Sequence, residues 1–141
     1  MSLRKPVITL YNDTGLTMVD MNDPNTHNVG ICEHTMVTMA CGLASQGLRV
    51  VCHAVTPHYL RAWEAIRTLM VPGKYDVALV GSGEGNDYSS LGHSHQMESN
   101  EMWMLCRAIK LPYYLPTNRQ ELRRVLGFRG PGFIQVRKGI A

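Results

Sequence analysis

A three-layer α/β sandwich with a mostly parallel central sheet is the fold that this 141-residue sequence predicts. Three observations predict it. Short β-branched runs alternate with segments whose apolar residues recur at helical spacing. Two of the runs, residues 49–55 and 75–80, are largely apolar, as in strands buried on both faces. The polar residues Asn12, Asp13, Glu33, His53, His58 and those of 82–95 follow the runs, where parallel sheets gather ligands at their carboxyl ends.

The first run, 7–11, ends in Asn12-Asp13 and reads as a strand entering a polar loop. Residues 15–20 read as a short helical turn and 23–25 as a loop. A second short strand is expected at 27–31. Residues 33–46 carry helix-spaced apolar side chains and stop at Gly47, a residue suited to a helix C-terminus. Strand 49–55 leads to a helix at 57–70, with Pro57 in its first turn and Pro72-Gly73 ending it. After strand 75–80, the glycine-bearing stretch 81–95 reads as a long loop, followed by a helix at 96–109. A brief strand at 113–115, a helix at 118–126 capped by Thr117, and a strand at 133–136 complete the chain.

Composition bounds the function. The sequence reads as one domain, 1–141, with 45% apolar and 18% charged residues. A net charge of +3 with scattered basic residues gives no nucleic-acid footprint; Arg119, Arg123, Arg124 and Arg129 read as a solvated helix face or a subunit contact. No apolar run approaches the ~20 residues that span a bilayer, and no hydrophobic stretch follows the N-terminus as in a signal peptide. Cys32, Cys41, Cys52 and Cys106 lack metal-type spacing and read as reduced, buried thiols of a cytoplasmic protein.

Asn28-Val29-Gly30-Ile31-Cys32-Glu33-His34 carries the chemistry. It reads as a strand end, a tight glycine turn and a helix that opens on a carboxylate among apolar neighbours. A carboxyl so placed loses the water that favours its charged form, and suits an acid that shares a proton with a ligand nitrogen. The plainer reading is a Glu that complements the helix dipole. The stretch Gly81-Ser82-Gly83-Glu84-Gly85 lacks the Lys-Ser/Thr of a phosphate loop and reads as a flexible turn. His93 and His95 have no third metal ligand at a diagnostic spacing, so no metal site is assigned. His95 reads either as a proton donor to substrate or as a loop histidine near a helix start. Tyr59 and Trp63 are either core or interface residues; alternatively Tyr59 or His58 presents a flat face to a heterocycle.

Five segments in register, NVGICEH, AVTPHYLRAWEAI, SGEGNDYSSLGHSHQMES, KLPYYLPTNRQEL and PGFIQVRKG, resemble the pyrimidine-binding domain of transketolase-like thiamine diphosphate enzymes over about residues 7–139. The resemblance implies the thiamine diphosphate-binding fold in its pyrimidine-domain form. It implies that Glu33 meets the pyrimidine N1′ nitrogen and activates the cofactor. His58, aligned with a stacking phenylalanine of the family, would form the pyrimidine side with Tyr59 and Arg61, and Asp13 would join it. Gly92-His93-Ser94-His95-Gln96 matches the family's GPTHQ-type loop, which puts His95, His93 and Tyr88 against substrate and makes His95 catalytic beside Glu33. Leu91 stands where the family often has an acidic residue.

No GDG with a distal asparagine is present, so the diphosphate and its Mg2+ would be held by a separate subunit. The resemblance therefore implies the pyrimidine-binding half of a split transketolase-like enzyme, inactive alone and assembled as a homodimer or heterotetramer. It would pass a two-carbon ketol unit from a ketose to an aldehyde; sugars or keto compounds are the implied substrates. The alternatives are a subunit of a two-chain 2-oxo acid decarboxylase that uses the same cofactor, and a non-catalytic remnant that binds a ligand or partner.

Overall fold

The computed structural model describes residues 6–13, 19–85 and 87–140. Six strands form one sheet: β1 (Val7–Tyr11), β2 (Thr26–Asn28), β3 (Arg49–Val55), β4 (Val77–Ser82), β5 (Tyr113–Tyr114) and β6 (Gly132–Val136). Their order is β2-β1-β3-β4-β6-β5, and every pairing is parallel. Strand order reverses between β1 and β3, since β2 lies on one side of β1 and β3 on the other. Crevices in open parallel sheets form at the carboxyl end of such a reversal.

Helix α1 (Glu33–Ser45) buries Glu33, Met36, Val37, Ala40, Cys41 and Ala44, a stripe at three- and four-residue spacing. It ends at Gln46, and Gly47 follows with φ 77°. The α1 stripe packs on one sheet face, against Leu10, Val50, Cys52, Ala54, Val77, Leu79 and Phe133. Helix α3 (Glu101–Ala108) adds Met102 and Cys106 to the same core. On the opposite face, α4 (Arg119–Leu126) sets Leu122 among Val51, Ala78, Val80, Ile134 and Val136. Sheet and flanking helices thus agree with the predicted architecture.

The differences have local causes. β2 is shorter than expected and starts one residue earlier. Residues 56–70 are not one regular helix. They run as a 3-10 segment (Thr56–Ala62), one α turn, α2 (Trp63–Ala65), and a π turn (Ile66–Met70). Pro72 supplies no N–H and crowds the carbonyl four residues back, and the turn before it widens, with Val71 N donating to Ile66 O at 3.1 Å. Helix α3 starts at Glu101, not at 96, because Ser99 and Asn100 favour a turn over a helix interior. The cap of α4 is Asn118, not Thr117: Asn118 Oδ1 accepts from Glu121 N at 2.9 Å, while Glu121 Oε2 accepts from Thr117 N at 2.8 Å. The stretch 81–95 begins as the end of β4 and contains two 3-10 turns, Ser89–Leu91 and His93–His95. The turn expected at 15–20 lies mostly outside the described residues.

At the amino edge of the sheet, Arg49 pairs with Asp76, which also takes Arg129 Nε at 2.8 Å and Gly130 N at 2.8 Å. Arg129 is therefore an ion-pair partner, while Arg123 and Arg124 lie exposed on α4. Cys41, Cys52 and Cys106 are buried and Cys32 half-buried, all as free thiols. Burial pushes the Cys41 thiol up to about 11 and that of Cys106 up to about 12. No helix among the described residues is long and apolar enough to cross a membrane.

Two glycines separate close packing from open space. A Cβ on Gly81 would lie 2.6 Å from Thr56 Oγ1 and 2.7 Å from Phe133 Cζ, whereas one on Gly42 in α1 meets nothing within 4 Å. Gly81→Ala is expected to lower the unfolding free energy by about 1–3 kcal/mol. Gly42→Ala is expected to raise it by about 1 kcal/mol, because alanine is the better helix former. Urea unfolding of both variants beside the parent chain checks the opposite signs.

Candidate functional site

Glu33 is 2% exposed although it is an acid at a helix start. The preceding turn explains its position. Asn28 Oδ1 accepts from Asp13 N at 3.2 Å and from Gly30 N at 2.9 Å, which ties the loop after β1 to the turn after β2. Gly30 takes φ 75°, open to glycine, and Cys32 N donates back to Gly30 O at 2.9 Å. The chain so reversed starts α1 with Glu33 aimed at the sheet edge.

Three side chains meet the carboxyl at one oxygen. Asn12 Nδ2, from the end of β1, donates to Glu33 Oε1 at 2.7 Å. Arg61 Nη1 donates to the same oxygen at 3.1 Å. His58 Nδ1 lies 3.4 Å away, without the alignment of a hydrogen bond. Oε2 carries no hydrogen bond from the described residues. The 3-10 segment explains the pairing of His58 with Arg61: at three residues per turn, positions i and i+3 eclipse. The same period sends Thr56, Tyr59 and Ala62 into the core, all buried.

The fourth contributor follows β4. His95 is half-buried, with its ring centroid 4.8 Å from that of His58 and the planes at 63°. Its Nδ1 is 3.0 Å from Ser94 Oγ. Burial, followed by the Arg61 cation, holds His58 below its usual range; Glu33 opposes this and His95 adds to it. The imidazole of His58 is therefore neutral near pH 7, and its contact with Glu33 is not an ion pair. Loops after β1, β2, β3 and β4 thus bring Asn12, Glu33, His58 with Arg61, and His95 to one rim. One carboxyl oxygen is anchored there and the other is available to a ligand N–H or ring nitrogen.

Other expected site residues lie elsewhere. Tyr59 is wholly buried: its hydroxyl donates to Cys52 O at 2.7 Å and its ring meets Phe133 edge-on at 5.3 Å. It has no free face for a heterocycle, and that expectation is corrected. Asp13 is exposed at φ 47° and accepts from Asn28 Nδ2 at 3.1 Å. It braces the turn from outside, while its neighbour Asn12 touches Glu33. Tyr88 lies against Gly83, where an added Cβ would come within 2.4 Å of its ring, and lines a small cleft with His95, Thr56 and Gln135. His93 is exposed. The sequence places Asn12 and Asn28 near the rim but does not single out their contacts with Glu33 and Asp13. The available signal was strand alternation, which puts Asn12 on the face of Leu10 and α1.

Comparison with known proteins agrees with the fold. Residues 10–128 match the family described as "Transketolase, pyrimidine binding domain". The "Putative transketolase C-terminal section" of Methanocaldococcus jannaschii is 31% identical over 115 residues, covering 77% of this chain and 36% of that protein. A solved structure, "Split gene transketolase, inactive beta4 tetramer", superposes with a TM-score of 0.74 at 21% identity, over 94% of this chain and 45% of the other. At that identity the likeness shows the fold alone. The chain spans about a third and under half of these relatives.

These findings correct one expectation. The sequence reading made the chain a ketol-transferring subunit, but the solved relative is an inactive tetramer, and the similarity reaches a pyrimidine domain without reaching an active enzyme. What the described residues offer is a donor set: a carboxyl, an amide, a guanidinium and two imidazoles can hold a nitrogen heterocycle.

A further histidine makes stability depend on pH. His53, on the sheet face opposite α1, is 5% exposed with Nδ1 unpartnered, and burial pushes it down to about 4 from 6.5. Between those values the unfolded chain binds the proton and the folded chain does not, so stability rises with pH across that window. His53 alone is expected to remove about 3 kcal/mol as pH falls from above 6.5 to 4. Urea unfolding across this range should show the loss in the parent and a shallower slope in His53→Leu.

Proposed function

The chain belongs to the transketolase pyrimidine-binding-domain family, and from that premise we propose that it is a ligand- and partner-binding module that holds the pyrimidine end of thiamine diphosphate and turns over no substrate alone. One observation carries this reading: a buried Glu33 carboxyl, with Oε1 anchored by Asn12 and Arg61 and Oε2 left for a ligand. The donor set fits an aminopyrimidine, because a carboxyl can share a proton with a ring nitrogen while neighbouring imidazoles meet the ring.

Glu33 would hold the proton at Oε2. Asn12 and Arg61 would keep the carboxyl from rotating, and His58 and His95 would exclude water from the ring. When bound, thiamine diphosphate supplies the carbon nucleophile; the protein supplies binding and orientation. His93 and Tyr88 belong to the loop expected to face substrate, and Asp13 supports the cofactor side through Asn28. The diphosphate and Mg2+ would fall to a separate subunit in an oligomer. Ile31, Leu60 and Leu91 are 69%, 42% and 58% exposed and flank the site residues in sequence, which suits a surface that a partner covers. We take the whole chain as one such domain, working in the cytoplasm.

Thiamine diphosphate with Mg2+, titrated into the chain together with its diphosphate-binding partner, tests the reading by equilibrium dialysis. Glu33→Gln is expected to weaken binding about 3- to 10-fold, the loss of the proton-sharing hydrogen bond to the ring nitrogen. Equal affinity in parent and variant would remove Glu33 from the role.

A further inference from the structure

His58 is polar where the fold makes no use of polarity. It is 7% exposed, and both Nδ1 and Nε2 are buried without a hydrogen-bond partner among the described residues. Such atoms cost stability unless something satisfies them. A phenylalanine would fill the same space with nothing to satisfy. The ring faces Glu33 from α1, Arg61 from its own 3-10 segment and His95 from the turn after β4. None of the three gives it an aligned hydrogen bond. A neutral imidazole offers one donor and one acceptor; here Nδ1 lies 3.4 Å from Glu33 Oε1, and neither nitrogen is satisfied within the described residues.

We propose that His58 is a specificity-determining residue: a ring nitrogen hydrogen-bonds the edge of the bound aminopyrimidine, so the site selects a ring with donors and acceptors over an apolar ring of the same shape. This rests on the pyrimidine reading of the Glu33 site and deepens it. The neutrality of His58 supports it, because a protonated ring would lose its acceptor and place a second cation beside Arg61. An unsatisfied ring nitrogen is then a feature of the free chain that the ligand resolves.

The test uses the full chain and 4-amino-2-methylpyrimidine, the ring of the cofactor without its diphosphate, by isothermal titration at neutral pH. His58→Phe is expected to weaken binding about fivefold to tenfold, and His58→Gln, which keeps a donor and an acceptor, by no more than about threefold. The His58 ring-nitrogen NMR signals are expected to move on saturation. The free His58→Phe chain is expected to melt no lower than the parent, since it loses two unpaired buried atoms, so weaker binding would not reflect misfolding. Equal or tighter binding by His58→Phe, or unmoved nitrogen signals, overturns the proposal and leaves the pyrimidine reading standing. Absence of binding by the parent and every variant overturns that reading and this proposal with it.

Discussion

A carboxyl group closed off from water at the carboxyl edge of a parallel sheet is the constraint around which the rest is arranged. Burying an acid is unfavourable unless donors meet it. Here Asn12 and Arg61 converge on one oxygen of Glu33. Each donor depends on a different part of the fold: Asn12 on the alternation of β1, Arg61 on the 3-10 turns after β3, and Glu33 itself on the Gly30 turn after β2. The reversal of strand order between β1 and β3 brings those three chain segments side by side. The same geometry that creates the crevice therefore supplies the groups that make a buried acid tolerable within it.

Much of the architecture was legible in the sequence. β1 and β3 occupy the expected residues because continuous apolar runs leave little choice of register. Helix α1 was readable from its period and from Gly47. Legibility failed where backbone geometry departs from a standard period. Residues 56–70 have helix-like spacing, yet they wind at three different pitches, and that decides which ring meets Glu33. A uniform helix leaves Tyr59 and His58 equally plausible as ring partners; the 3-10 turn buries the first and turns the second toward Glu33. Of the pair Asn12-Asp13, the site role goes to Asp13 in the sequence because charge is the louder signal there. Burial depends on parity along the strand, and parity selects the amide.

The family-level likeness and the chemistry of the chain diverge in an instructive way. Fold and order of motifs identify a pyrimidine-binding domain, but folds host activities through particular side chains. The sequence resemblance sets Leu91 where the family often has an acidic residue and His58 where it often has a stacking phenylalanine. Leu91 is exposed and His58 lies buried beside Glu33 and His95, and neither belongs to a strand of the sheet.

The cysteines lead to a practical consequence. Three sulfurs are sealed inside, and burial keeps Cys41 and Cys106 far from the thiolate form. Cys32 differs: it is half-buried, donates to Val29 O at 2.9 Å, and immediately precedes Glu33. An alkylating dye or spin label would thus find its easiest target at the mouth of the crevice. The native chain carries its own attachment point for a reporter, without any engineered cysteine.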